Sequence, residues 1–110
     1  MLTADQTTEL AEMFRLLGEP NRLRIVASCL DRTLSVGEIT ARLAQSQSLV
    51  SHHLRLLRAA RLLKAVRRGK QVYYSIADGH VREMLTNMIE HIAEPDEHDD
   101  SINIETGVTS

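Results

Sequence analysis

The chain has 110 residues, of which 43% are hydrophobic and 25% charged, and its formal net charge at pH 7 is −2. This length can bury the core of one compact domain but not of two. No stretch approaches the ~20 apolar residues that span a bilayer, and the N-terminus lacks the charged-then-apolar pattern of a signal peptide. We therefore expect a cytoplasmic protein with no membrane partner.

The first two helices are predicted from apolar residues at helical spacing. Leu10 and Leu17 belong to the first apolar series, which Gly18 ends. Pro20 then opens a second helix, where its missing N–H costs nothing because the first turn has no intrahelical acceptor for it. The apolar face of the second helix is Leu23, Val26, Ala27 and Leu30.

The third and fourth helices are short and long, with a polar break between them at residues 44–47. Ser35 is expected to cap the third helix, because Glu38 stands at the capping-box position and Ile39 and Leu43 can point inward. The fourth helix is predicted from about Gln47 to Ala60. Its narrow apolar stripe consists of Leu49, Val50, Leu54 and Leu57.

The pattern then changes to the period of two that is typical of strands. Residues 63–68 and 72–76 alternate in this way, and Arg68-Gly69-Lys70 between them predicts a hairpin tip. Asp78 is expected to cap a last helix over residues 79–93, which Pro95 stops. The apolar stripe of that helix is Val81, Met84, Leu85, Met88 and Ile92.

This order of elements predicts a mainly α domain with a small β part, arranged α-α-α-α-β-β-α over residues 1–94. A short helix, a tight turn and a longer helix followed by a hairpin describe a winged helix-turn-helix. Residues 95–110 are acidic and short of large apolar groups, and we expect them to form a disordered tail.

The charge distribution favours double-stranded DNA as one partner. From Asp78 onward nine residues are acidic and one, Arg82, is basic, whereas residues 39–77 contain eight basic residues and no acidic one. A basic middle and an acidic end indicate a polyanion and a cation as two separate partners. The eight basic residues are Arg42, Arg55, Arg58, Arg61, Lys64, Arg67, Arg68 and Lys70.

The fourth helix is the candidate recognition helix. Its first turns carry hydroxyls, an amide and the imidazoles of His52 and His53, which we expect on the outer face, where they can bond to base edges in a major groove. Basic residues farther along the helix would contact the phosphate backbone, and those at the hairpin tip would reach flanking phosphates or a minor groove. The predicted DNA-binding residues are Gln47, Ser48, Ser51, His52, Arg55, Arg58, Arg67, Arg68 and Lys70.

Four potential metal ligands flank the last helix: Asp78, His80, His91 and Glu94. His80 and His91 share nearly the same face, but they are eleven positions, or ~16 Å along the axis, apart, so they cannot bind one ion within one helix. If two such helices pack antiparallel about a two-fold axis, the first pair of one chain meets the second pair of the other. The spacing predicts a homodimer through its terminal helices, with two identical intersubunit metal sites.

Two imidazoles and two carboxylates suit tetrahedral Zn(II), and four protein ligands leave no position for a reactive water. We therefore expect a regulatory metal ion rather than an enzyme. His98 in the tail offers an alternative, because one more ligand would favour Ni(II) or Co(II). A winged-helix repressor with a non-metal inducer, whose last helix serves only to dimerise, is a further alternative.

Over residues 7–94 the chain resembles the ArsR/SmtB family of bacterial metal-sensing repressors. The resemblance rests on the segments at residues 17–25, 50–57 and 72–76, and on the match of Asp78, His80, His91 and Glu94 to the family's site on the last helix. It implies a homodimer on an inverted-repeat operator that represses transcription until metal binds between the protomers.

One departure from the family pattern concerns cysteine. Family members that use thiols carry cysteines in a Leu-Cys-Val-Cys-like stretch, where this chain has Ser35 and Gly37. Sensing of soft metals or arsenic by that route is therefore not expected. Cys29 belongs to another helix, and its apolar surroundings predict a small buried thiol.

Overall fold

The computed structural model describes residues 1–95, which form five helices and one small antiparallel sheet. The expected tail, including His98, lies outside the described residues apart from Pro95. Within residues 1–95, no helix has the length and apolar character needed to cross a membrane. The elements are α1 (Ala4–Leu17), α2 (Pro20–Ser28), β1 (Leu34–Ser35), α3 (Val36–Leu43), α4 (Gln47–Ala59), β2 (Leu63–Arg68), β3 (Gln71–Ile76) and α5 (Gly79–Ala93).

Local capping chemistry explains where the helices begin. The Ser35 hydroxyl accepts from the Glu38 N–H at 3.2 Å while the Glu38 carboxylate accepts from the Ser35 N–H at 2.9 Å, which completes the predicted capping box. Ser46 caps α4 by accepting from the Leu49 N–H at 3.1 Å. The bounds of α4 and α5 agree with the sequence prediction to within a residue, and α3, α4 and α5 each start at a cap of this kind.

The sheet contains a short strand that the sequence pattern does not reveal. β1 pairs antiparallel with β3, with Leu34 opposite Tyr74, and gives the strand order β1-β3-β2. The β2–β3 hairpin runs from Leu63 opposite Ile76 to Arg68 opposite Gln71. β1 joins the start of α3 to the β2–β3 hairpin, which is the wing of this fold. The helix-turn-helix (α3 and α4) and the wing therefore form one unit.

The core lies where α2, α3 and α4 meet the sheet, and it confirms the predicted winged helix-turn-helix architecture. Ile39 and Leu43 point inward from α3 as expected. Cys29 is only 1% exposed, and burial raises the pKa of its thiol to about 11, which agrees with the predicted buried thiol. The other most deeply buried residues are Ile25, Val26, Leu34, Val50, Leu54, Leu57 and Leu62.

The terminal helices keep large apolar side chains on the protomer surface. Phe14 on α1 is 53% exposed, and on α5 Met88 is 51% and Ile92 78% exposed. Leu85 is the buried residue of α5, so that helix rests on the protomer through only part of its apolar stripe. Large apolar side chains left exposed on surface helices are typical of a protein–protein interface.

Candidate DNA interface and metal centre

α4 presents most of the predicted DNA-binding side chains on one outer face. α3 ends at Leu43, and its C-cap Ala44 adopts a left-handed conformation (φ 55°) that leads the chain towards the cap of α4. Ser51 is half-buried at the edge of this face. The exposed predicted contacts on α4 are Gln47, Ser48, His52, Arg55 and Arg58.

The inner face of α4 differs from the prediction at two positions. His53, expected on the outer face, is only 5% exposed and is the one buried polar residue among residues 1–95. Leu49, assigned by the sequence pattern to the apolar stripe, is 42% exposed. The buried stripe is therefore Val50, His53, Leu54 and Leu57, which are spaced three or four residues apart as helical packing requires.

His53 is held at the contact between α4 and α2. Its Nδ1 is buried and has no hydrogen-bond partner within residues 1–95. The pKa of His53 is lowered, mainly by burial and further by Arg22 and His52, while the Glu19 carboxylate acts in the opposite direction. Glu19 is itself fixed as the cap of α2, accepting from the Arg22 N–H at 2.9 Å. His53 is therefore neutral in the folded protein near pH 7.

We expect the free energy of unfolding to fall as the pH is lowered from 7 towards 5. The lowered pKa of His53 means that the unfolded chain takes up a proton that the folded chain does not, so stability is lost as the pH falls below the ordinary histidine value. Urea denaturation between pH 5 and 7 should show a smaller pH dependence for His53→Gln than for wild type. The exposed neighbour gives the control, because His52→Gln should keep the wild-type dependence, and equal slopes in all three proteins would contradict the assignment.

The wing projects the remaining predicted contacts. Gly69 has a positive φ of 64° at the first of the two central positions of the hairpin, which is the pattern of a type II′ turn. The guanidinium carbon of Arg68 lies 5.7 Å from the centroid of the Tyr73 ring, a cation–π contact that orients the charge. Arg67, Arg68 and Lys70 are all exposed at this tip.

Two of the four predicted metal ligands lie together at the start of α5. One oxygen of Asp78, Oδ1, caps the helix by accepting from the Val81 N–H at 3.0 Å. The other, Oδ2, lies 3.8 Å from Nδ1 of His80, whose side chain is 98% exposed. The backbone hydrogen bond from Val81 is the main cause that lowers the pKa of Asp78, so this carboxylate is ionised at neutral pH.

The other two predicted ligands lie at the opposite end of the same helix. His91 stands in the last turn of α5, and Glu94 follows it as the C-cap; both are exposed. Within residues 1–95 of one protomer, no three His, Cys, Asp or Glu side chains come close enough to hold a metal ion. Each protomer thus carries two half-sets of ligands, separated by nearly the length of α5.

An open groove of about 520 Å³ borders the first half-set. It runs between α1, the start of β2 and the first turns of α5, so Asp78 and His80 stand on its rim. Its basic rim residues are Arg58, Arg61 and Lys64. Its apolar lining is Leu10, Met13, Phe14, Leu17, Leu62, Leu63, Val81 and Met84.

Arg61 connects the end of the recognition helix to α1. It follows α4 in a left-handed conformation (φ 62°), and its N–H donates to the Arg58 carbonyl at 2.9 Å. Its guanidinium donates to Oε2 of Glu9 on α1 at 2.6 Å. This ion pair is the main cause that raises the pKa of Arg61, and Asp78 acts in the same direction. One side chain therefore lies between α1, α4 and the first half-set of ligands.

Sequence comparisons match this chain to known bacterial regulatory proteins. Residues 19–65 match the family described as bacterial regulatory protein, arsR family. The chain is 40% identical over 96 residues to a transcriptional repressor SmtB homolog of Synechocystis, a match that covers 87% of this chain and 73% of that protein.

Solved structures show the same fold. The crystal structure of Rv0081 from Mycobacterium tuberculosis aligns with a TM-score of 0.74 and 32% identity, covering 83% of this chain and 92% of that one. The solution structure of a homodimeric winged helix-turn-helix DNA-binding domain, Mb0332 from Mycobacterium bovis, aligns with a TM-score of 0.77 and 23% identity, covering 87% and 93%. At 23% identity, the similarity to Mb0332 is evidence for the fold alone.

Proposed function

Because this chain belongs to the arsR family of bacterial regulatory proteins, we propose that it is a metal-responsive transcriptional repressor of the cytoplasm. In this proposal it binds an inverted-repeat operator as a homodimer and leaves the DNA when Zn(II) binds at intersubunit sites. Its relatives are transcriptional regulators and repressors, so it acts by binding and not as an enzyme. The domain responsible is residues 1–94.

One observation carries the intersubunit site: the two ligand pairs lie at opposite ends of one exposed helix. Asp78 and His80 border an apolar groove, whereas His91 and Glu94 lie among the exposed apolar residues of the second half of α5. Docking that second half into the partner's groove buries Met88, Ile89 and Ile92. The same antiparallel arrangement joins the two half-sets into complete sites, two per dimer.

The residues present suit Zn(II). Only Oδ1 of Asp78 is used to cap α5, and Oδ2 lies beside His80, so ligation through Oδ2 does not require the helix start to open. Two imidazoles and two carboxylates supply four ligands, the number that a closed tetrahedral zinc site takes. In this arrangement Asp78 and His80 of one protomer hold the ion together with the second pair, His91 and Glu94, of the other.

DNA binding is proposed for the outer face of α4 and for the wing. Gln47, Ser48, Ser51 and His52 near the start of α4 would read base edges, since the first turns of a recognition helix enter the major groove. Arg55 and Arg58 farther along, and the wing tip, would bind phosphates. A two-fold dimer places its recognition helices one DNA turn, ~34 Å, apart.

Regulation requires that the metal-bound dimer fits the operator less well than the metal-free dimer. Shifting a population from 99% to 1% DNA-bound needs a bias of ~5.5 kcal/mol. Two sites that join the terminal helices at both ends restrict the angle at which those helices cross. Because Arg61 ties α1 to the end of α4, a change in that angle moves the recognition helices relative to each other.

Two alternatives keep the same DNA-binding surface. A Ni(II) or Co(II) sensor would use additional ligands from the tail, for which His98 is the candidate. A repressor with a non-metal inducer would use α5 only to dimerise. Equilibrium dialysis against Zn(II), Ni(II) and Co(II), repeated with a chain truncated after Pro95, distinguishes these alternatives from the zinc sensor. Loss of Ni(II) or Co(II) binding on truncation supports the nickel or cobalt sensor. Binding of none of the three ions supports the repressor with a non-metal inducer.

The proposed function is tested by fluorescence anisotropy of labelled operator DNA during a zinc titration. The operator is obtained by selecting duplexes from a random pool with the metal-free protein. Release at about two zinc ions per dimer is the expected result. An anisotropy unchanged by zinc at saturating occupancy would refute regulation by this metal.

The two parts of the DNA surface should respond differently to substitution. Arg68→Ala is expected to lower the slope of log affinity against log salt by about 0.9 for each phosphate that the arginine no longer neutralises, roughly 1.8 per dimer, with little effect on sequence preference. His52→Ala is expected to relax the base preference while leaving the salt slope nearly unchanged. The two effects are distinguished by measuring affinity for selected and scrambled duplexes over a range of salt concentrations. Identical effects of the two variants would mean that the recognition helix is misassigned.

A further inference from the structure

Leu49 is a large apolar residue that is not part of the buried core. It is the third residue of α4, just after the Ser46 cap, and 42% of its surface is exposed. Val50 and Leu54, which follow it, are 0% and 1% exposed and fill the core beneath the helix. The buried face of α4 is therefore formed by other side chains, and Leu49 is not among them.

The position of Leu49 differs from that of most other exposed apolar residues. On α1 and α5 several such residues belong to the surface proposed to bind the partner protomer, whereas within residues 1–95 Leu49 is the one large apolar side chain exposed on α4. His52 is three positions further along the helix, so the two side chains are neighbours on the helix surface. Ser48, also exposed, precedes it in the same turn. An aliphatic group thus lies at the edge of the polar surface that is proposed to face DNA.

A major groove offers one apolar group to such a side chain, the C5-methyl group of thymine. We propose that Leu49 is a specificity-determining residue that packs against a thymine methyl group in each half of the operator. The inference rests on the proposed function, because it requires that the start of α4 enters the major groove. It adds a base contact that hydrogen-bonding side chains do not supply, since the methyl group has no donor or acceptor.

Replacing thymine by deoxyuridine tests the contact, because it removes the methyl group and leaves the base-pairing edge intact. The probe is a duplex selected by the metal-free wild-type protein from a random pool, with each thymine replaced in turn. At least one replacement per half-site should weaken wild-type binding roughly fourfold, and about fifteenfold when made in both, the effect of removing one buried methyl group at each.

The variant Leu49→Ala should bind the thymine and deoxyuridine duplexes equally well. Leu23→Ala is the matched control, since Leu23 is a leucine of similar exposure, 41%, on α2, away from the proposed interface. It should keep the wild-type sensitivity to the methyl group. Thermal unfolding of both variants confirms that the fold is retained.

The outcomes separate this inference from the proposed function. If wild-type protein binds a selected duplex but is indifferent to every replacement, or if Leu49→Ala keeps the same sensitivity, Leu49 does not read thymine although the protein is still a DNA-binding repressor. If no duplex is enriched at all, the proposed function fails and this inference fails with it.

Discussion

His91→Ala is expected to abolish zinc-dependent release of the operator while leaving DNA binding by the metal-free protein unchanged. His91 is exposed in the last turn of α5, so its removal leaves no cavity in the protomer. Loss of groups that merely orient ligands costs about 10–100-fold in metal affinity, so loss of a direct ligand should cost at least about a hundredfold. Zinc titration of the protein–operator complex measures the effect.

Glu90→Ala supplies the control for this variant. Glu90 is adjacent, exposed and on the same helix, but it is outside the proposed ligand set. It should keep the full zinc response. Release of the operator by His91→Ala at wild-type zinc concentrations would show that the ligand assignment is wrong.

Mixed dimers test whether the sites lie between protomers. In a dimer of one His80→Ala chain and one His91→Ala chain, both substitutions fall in the same intersubunit site, and the other site keeps all four ligands. Mixing the two inactive proteins should therefore restore one tight zinc site per mixed dimer. Sites formed within single protomers would leave the mixture with no intact site, and binding would not recover.

Ile92→Glu is expected to dissociate the homodimer. Ile92 is 78% exposed in the protomer, so the substitution should not disturb the protomer fold. Burial of an isoleucine side chain is worth about 1.5–3 kcal/mol, and two-fold symmetry counts it twice, so the dimer dissociation constant should rise by roughly two to four orders of magnitude. Sedimentation equilibrium at micromolar concentration measures this constant.

Leu23→Glu is the corresponding control on a helix that is not proposed to dimerise. It introduces the same charge at a leucine that is 41% exposed, and it should leave the dimer intact. Equal dissociation constants for Ile92→Glu and wild type would place the dimer interface elsewhere. The intersubunit site would then lose its geometric basis, because the two ligand pairs would no longer be brought together.

The sequence predicts those parts of the fold that are decided by local chemistry. Ser35, Ser46 and Asp78 each accept from a backbone N–H three residues ahead, and a cap of this kind can be recognised without knowing the tertiary structure. The hairpin is equally predictable, because the alternation of its strands and the glycine at its tip are local signals. The predicted order of elements is confirmed, with one short strand added.

Two features of the fold differ from the sequence prediction, and the reasons are different. β1 has only two residues and exists because β3, almost forty positions later, pairs with it. The polarity of histidine favours the outer face for His53, but the spacing of Val50, Leu54 and Leu57 places it inside. That spacing is the signal in the sequence that identifies both the buried position of His53 and the outward position of Leu49.

The candidate metal site divides in the same way. The pairing of Asp78 with His80 follows from their positions, two residues apart, at the start of α5. In the structure Oδ2 of Asp78 lies 3.8 Å from Nδ1 of His80. Their union with His91 and Glu94 is a property of two chains, and one protomer contains only its halves. The four ligands therefore stay a prediction, which the mixed dimers decide.

The left-handed conformation of Arg61 has a mechanical consequence. Glycine is the usual residue at such a position after a helix, and it leaves the backbone there a wide range of conformations. A residue with a β-carbon has fewer backbone conformations available, and here the side chain is also anchored to Glu9. The backbone between α4 and β2 is therefore more restricted than a glycine would leave it, and in the proposed mechanism this limits how far the connecting loop can absorb a change in the angle of the terminal helices.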